Sequence, residues 1–147
     1  MALRCVPITL MDIHVGVCRA HKIPGGIKPA FATIQSKLTQ GEKRQIFGLT
    51  YCAEEEPEFF AAVEVYNRND LTRLDLPKMV IPGGAYVRAL FPDTRPNPTR
   101  INTAFRELEQ RFEFDFWRPK IEFYRESRKL HLYLPVKSTP AGNGKSS

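Results

Sequence analysis

Cysteine is scarce in this chain, and long apolar runs are missing. The three cysteines, Cys5, Cys18 and Cys52, are odd in number and scattered, with no C-x-x-C pair. That excludes a disulfide framework and a zinc pattern, and leaves free thiols. The three histidines, His14, His21 and His131, show no ligand spacing, so no metal site and no cofactor are expected. No apolar stretch is long enough to cross a bilayer, so no membrane partner is expected. Met1-Ala2-Leu3-Arg4 lacks the apolar core and cleavage site of a signal peptide, which makes the cytoplasm the expected location. No G-x-S-x-G signature marks a serine hydrolase. The net charge of +6 and pI near 9.4 come from dispersed Lys and Arg rather than a basic run. With no helix-turn-helix or zinc-finger pattern, the charge reads as solvated surface and no direct nucleic-acid contact is expected.

What the sequence does have is a repeat. At 147 residues it is sized for one compact domain. From Ile13 onward a strand-like run, a helix-like run and two strand-like runs follow one another, and the same order returns from Ala85. Ala30-Phe31 recurs as Ala104-Phe105, Tyr51 falls opposite Tyr124, and Val65 opposite Val136. One supersecondary unit is thus used twice, about residues 3–68 and 79–137, and the groove where the copies meet is the natural ligand site.

Local signals place the elements. Leu3 to Met11 and Ile13 to Val17 read as a long or broken strand. Pro29 suits a first helical position, and Phe31, Ile34 and Leu38 recur at helical spacing, so a helix is predicted from Pro29 to Thr39 with Gly41 as its stop. Gln45 to Cys52 and Phe59 to Asn67 read as strands. They are joined by the acidic stretch Glu54-Glu55-Glu56-Pro57, which reads as a solvated loop. Asn69 to Lys78 is the linker, with the composition for a short helical turn. The second copy has a strand from Ala85 to Phe91 and a three-proline loop over Pro92 to Pro98. A helix then follows, capped by Thr99, with Ile101, Phe105, Leu108 and Phe112 on one stripe and Ala104 close to the sheet. Strands from Lys120 to Arg125 and Lys129 to Val136 flank a Ser127-Arg128 turn. Ser138 to Ser147 has the composition of a disordered tail. The expected class is α+β: two β-α-β-β repeats, antiparallel sheets with one helix packed on each, and a central cleft between the halves.

Strand alternation assigns faces. Ile121 and Phe123 suit the helix side, which sends Glu122 and Tyr124 to the groove. Leu130, Leu132 and Leu134 take the helix side and leave His131 and Tyr133 for the groove. Val63 and Val65 do the same for Phe60, Ala62, Glu64 and Tyr66. Tyr86 and Arg88 are placed on the groove side, and Trp117 at its rim. A carboxylate among aromatic rings suits a cation, because ring faces attract positive charge and cover apolar surface. Burial raises the pKa of such a carboxyl, so Glu122 also suits general acid or base work. The alternative is that Glu122 pairs with Arg88, Arg125 or Arg128 on an open sheet face.

Three segments carry a family resemblance. Pro82-Gly83-Gly84-Ala85-Tyr86 resembles a "P-x-G-x-Y" repeat entry, and Pro119-Lys120-Ile121-Glu122-Phe123-Tyr124 a "P-x-F-E-x-Y" strand with Ile121 in place of the aromatic. Leu130-His131-Leu132-Tyr133-Leu134-Pro135-Val136 resembles a closing "I-x-I-Y-I-P-I" strand. Together they resemble the GyrI-like small-molecule-binding domain, the effector-binding domain of AraC-type and MerR-type activators, with a SOUL-like fold. The resemblance covers about residues 3 to 137. It implies two β-α-β-β repeats around a cleft that binds bulky, often cationic, aromatic compounds. The family's central glutamate maps onto Glu122 and its motif tyrosines onto Tyr86, Tyr124 and Tyr133.

The leading expectation is a stand-alone domain that binds or sequesters a hydrophobic drug or toxin. Glu122 would set polarity, and Tyr86, Tyr124, Tyr133, Phe60, Tyr66 and Trp117 would supply rings, with His131 beside them. One alternative is a hydrolase of reactive electrophilic natural products in which Glu122 is catalytic. The other is a protein-interaction module, with DNA gyrase or a transcription regulator as partner and the acidic loop as contact surface.

Overall fold

In the computed structural model, which describes residues 3–52, 56–92, 97–125 and 129–137, the elements follow from these local signals. In chain order they are β1 (Cys5–Leu10), β2 (Ile13–Arg19), α1 (Ile27–Lys37), β3 (Ile46–Tyr51), β4 (Glu58–Glu64), α2 (Arg68–Leu74), β5 (Lys78–Ile81), β6 (Gly84–Leu90), α3 (Pro98–Arg111), β7 (Lys120–Tyr124) and β8 (Leu130–Pro135). The tail Ser138 to Ser147, the Ser127-Arg128 turn, residues 53–55 of the acidic loop and residues 93–96 of the proline-rich loop lie outside the described residues.

Helix α1 buries Ala30 and Ile34, and α3 buries Ile101, Ala104, Phe105 and Leu108. The α3 cap is Asn97 rather than Thr99: its side-chain oxygen accepts from the Arg100 N–H at 2.9 Å, and Pro98 takes the first helical position. Gly41 sits not at the α1 stop, which is Leu38, but at φ 79 in the turn that follows, where a side chain would be strained. The linker holds the short helix α2, capped by Asn67.

The eight strands of the described residues join one antiparallel sheet, ordered β1-β6-β8-β7-β3-β4-β2-β5, which curls into a half-barrel. Exchanging the two repeats reverses this order and leaves it unchanged, so a local two-fold axis passes between β7 and β3. The leading strands complete each repeat as β-β-α-β-β and are swapped: β1 pairs with β6, and β5 pairs with β2.

The helices cover the outer face. Around α3, Val87, Ala89, Leu130, Leu132 and Leu134 form one core. Around α1 and α2, Phe59, Ala61, Val63 and Leu74 form another. The inner face is filled by a third cluster drawn from both halves, including Val15, Phe47, Ala62, Tyr86, Ile121 and Tyr133. This corrects the expected groove. The face opposite the helices is packed core, and on the outer face the central strands β7 and β3 lie between α3, which packs on β8, and α1, which packs on β4 and β2.

Candidate functional site

Residues directly opposite in an antiparallel pair share a face. Ile121 opposes Tyr133, and Phe123 opposes His131, so these four face inward; Glu122 opposes Leu132 and Tyr124 opposes Leu130, so those two face outward beneath the helices. The expected quartet Glu122, Tyr124, His131 and Tyr133 is therefore split between the faces. Strand β7 is inverted relative to expectation because its inward neighbours are as apolar as its outward ones. Alternation alone does not tell two buried faces apart.

Glu122 lies next to the two-fold axis, directly opposite Gly48 on β3. The two positions are also equivalents in the repeat, so one copy supplies the carboxyl and the other supplies its space. A Cβ at Gly48 would meet the Phe59 ring at 2.9 Å and Glu122 Oε1 at 3.1 Å. Glu122 is 6% exposed. The Tyr124 hydroxyl donates to its Oε1 in a short hydrogen bond. Burial pushes the Glu122 pKa up to about 7, against which the hydrogen bond from Tyr124 pulls it down. Burial and the neighbouring carboxylate likewise hold the Tyr124 hydroxyl protonated well above the usual phenol range.

Aromatic rings enclose the pair. Phe31 of α1 meets the Tyr124 ring edge-on at 5.3 Å and Phe59 at 5.8 Å. The other face of Tyr124's surroundings opens into a pocket of about 530 Å³, with Gln35 of α1, its C-cap Leu38, Ile46, Tyr66 and Arg125 in its walls. Tyr124 thus spans from solvent to the buried carboxyl. The pocket's far wall is held by ion pairs. Arg44 donates to both Asp70 carboxylate oxygens, at 3.0 and 2.9 Å, and Arg73 to Glu42 at 2.6 Å. The backbone N–H of Thr39 and the guanidinium groups of Arg44 and Arg73 hold Glu42 down at about 2; Arg44 and the Tyr66 N–H hold Asp70 down at about 2. The Arg44 guanidinium also lies 5.0 Å from the centre of the Tyr66 ring.

The other expected site residues lie elsewhere. Tyr86 is fully buried inside the half-barrel, its hydroxyl donating to the Pro82 carbonyl, and meets Tyr133 at 6.4 Å. Phe60 packs on Tyr51 in the same inner cluster. Trp117 is 81% exposed and stacked on Phe116 at 5.7 Å, outside the pocket beside Tyr124. Tyr66 does line that pocket. Sequence reasoning passed over Gly48, Phe31, Phe59 and Arg44. The repeat had singled out Phe31 by its match to Phe105, while nothing in the sequence ties Gly48 to Glu122 before the register is known. Among the described residues no group of His, Cys, Asp and Glu is placed to hold a metal ion.

No family model and no curated relative matches the chain. Solved structures do. The C-terminal domain of EcmrR superposes with TM-score 0.65 at 13% identity, covering 95% of this chain and 100% of that one. An integron cassette protein from the mobile metagenome of Vibrio cholerae gives 0.61 at 17%, covering 90% and 95%. SAV2435, solved bound to tetraphenylphosphonium, gives 0.62 at 12%, covering 96% and 98%. The fold is GyrI-like. At these identities the likeness is one of fold. No helix among the described residues is long and apolar enough to cross a membrane.

Proposed function

We propose that this GyrI-like domain binds a hydrophobic, cationic small molecule in the seam between α1 and α3. Glu122 is its counter-charge, and Tyr124, Phe31 and Phe59 are its ring contacts. The observation that carries the reading is a deeply buried carboxyl with no cation paired to it among the described residues and a single hydroxyl as partner. Burying a carboxylate without an opposite charge costs several kcal/mol, so the group stays protonated to about neutral pH. A lipophilic cation supplies the missing charge without bringing polar groups that need solvation. Phenyl substituents suit the surrounding rings. The ligand of SAV2435, tetraphenylphosphonium, has this chemistry and supports the class.

Calorimetry with tetraphenylphosphonium against neutral triphenylphosphine oxide tests this. The cation is expected to bind with release of a proton below pH 7, and Glu122→Gln to weaken it by about 1–3 kcal/mol, roughly tenfold to a hundredfold. Equal affinity of wild type and Glu122→Gln for the cation would sink the reading.

A second reading rests on the same Glu122–Tyr124 pair. A carboxyl that titrates near neutrality beside a hydroxyl suits general acid-base hydrolysis, and one neighbour of this fold is described as a hydrolase from Listeria innocua, with TM-score 0.54 at 10% identity. Turnover of an electrophilic ester or epoxide that is lost in Glu122→Gln while binding is retained would favour it. A regulatory use of the bound ligand fits the fold shared with a protein described as a Staphylococcus aureus transcription regulation protein. Nothing specific favours gyrase as a partner, and residues 53–55 of the acidic loop lie outside the described residues.

A further inference from the structure

A second polar cluster lies on the inner face, at the open end of the half-barrel. Leu90 opposes His131, which opposes Phe123; one step along, Arg88 opposes Tyr133. These residues therefore share the inner face. Lys129, two residues before His131, continues the same alternation; Arg125, which also borders the pocket beside Tyr124, lies with its guanidinium 5.5 Å from the centre of the inner-face Phe123 ring and is tied to Lys129 by the bond from the Arg125 N–H to the Lys129 carbonyl. No carboxylate among the described residues pairs with Arg88, Arg125 or Lys129. His131 has its Nδ1 buried without a partner. Burial, with Arg125, Arg88 and Lys129 adding repulsion, pushes its pKa down.

The repeat shows that the fold does not require this. With the registers of the two halves aligned on the Val65–Val136 match, the equivalents of Arg88, Arg125, Lys129 and His131 in the first copy are Val17, Tyr51, Glu58 and Phe60, which moves Tyr51 by one residue from its expected counterpart Tyr124 to Arg125. The first copy closes its end with an aromatic contact between Tyr51 and Phe60 at 6.0 Å. The second gathers three cations about an imidazole, and flanks them with Val6 and Leu90, which are 47% and 48% exposed. Like charges gathered beside a desolvated ring oppose folding unless something else uses them.

We propose that this end of the half-barrel is a binding site for a small amphiphilic anion, an alkyl phosphate monoester, on the sheet face opposite Glu122. The phosphate sits on Arg88, Lys129, Arg125 and the imidazole of His131, and the alkyl chain lies along Val6 and Leu90. Guanidinium forks match phosphate oxygens in pairs, which favours Arg at such a site. The site stands whether or not Glu122 binds a cation.

The test follows the ring resonances of His131 by isotope-edited NMR, assigned with His131→Gln, during titration with inorganic phosphate and with hexyl phosphate at constant ionic strength. Both probes are expected to give saturable shifts and to raise the His131 titration midpoint, because a bound anion favours the imidazolium. Hexyl phosphate should bind at least about tenfold more tightly than phosphate, from the buried chain. Arg88→Gln and Lys129→Gln should each weaken it about tenfold or more, while Glu122→Gln leaves it unchanged. Amide spectra of each variant confirm that it is folded. Absence of a saturable His131 shift with either probe overturns the proposal. So does a shift that is the same in Arg88→Gln. A response only to duplex DNA or to anionic vesicles also overturns it, since the cluster would then be part of an extended surface.

Discussion

Gly48 and Glu122 show how one position decides the character of a symmetric site. A carboxyl at both would place two like charges in contact on the axis; glycine at both would leave a void. The observed pairing gives one buried charge and room for the Phe59 ring. Gly48→Ala puts a methyl 2.9 Å from that ring and 3.1 Å from the carboxyl oxygen. The expected cost is about 1–3 kcal/mol in urea unfolding, with loss of ligand affinity in the same variant. The Glu122 pKa, raised from 4.5 to about 7, carries its own signature. A carboxyl that binds its proton more tightly when folded favours the fold at low pH, and that stability is lost as pH rises from about 4.5 to 7, on the order of 3 kcal/mol at most. His131, whose pKa is lowered, acts in the opposite sense near its usual range, gaining stability as pH rises. The measurement is therefore the difference between wild type and Glu122→Gln across pH 4 to 8. The stability of wild type relative to the variant should fall by about this amount as pH rises, and parallel curves would show that Glu122 is not buried as described.

At the scale of elements, the helices, the strand boundaries and the repeat were legible because each is written in local periodicity and turn chemistry. The Ile101, Ala104, Phe105 and Leu108 stripe needs only the α3 sequence. The facing of β7 was not legible. Ile121 and Glu122 are both buried, so neither face of that strand meets water, and only pairing with β3 and β8 reveals which side lies beneath the helices. The swapped β1 and β5 were equally hidden, since pairing with the other repeat leaves no mark on a short apolar run. Helix α2 shows what a linker element contributes. Its Asp70 is 8% exposed, accepts from the Tyr66 N–H at 2.7 Å, and holds Arg44. Asp70→Asn removes the charge that neutralises Arg44, and we expect a loss of about 2–3 kcal/mol at pH 7. Because the Asp70 pKa is lowered from 3.8 to about 2, its contribution is present above about pH 4 and lost as pH falls through 2. Wild type and Asp70→Asn should therefore converge in acid, as read by thermal unfolding from pH 7 to pH 2.

For the whole molecule, the exchange of leading strands makes the two repeats one folding unit. Strand β1 completes the sheet of the second half and β5 that of the first, and the inner core takes Val15, Phe47 and Ala62 from one half and Tyr86, Ile121 and Tyr133 from the other. A chain cut between α2 and β5 gives fragments 1–76 and 77–147. Each fragment then has a leading strand with nothing to pair with and half of a core open to water. Such halves bury a smaller share of their surface than the whole chain does, which leaves each core marginal. Each fragment alone is expected to lack a cooperative unfolding transition, and mixing them to restore one with the sheet signature of the intact chain in circular dichroism. Reassembly should also restore binding of tetraphenylphosphonium, because Gly48 comes from one fragment and Glu122 from the other. A fragment that unfolds cooperatively by itself would mean that the repeats are independent domains, and that the axial carboxyl is a contact between them rather than a product of their joint folding.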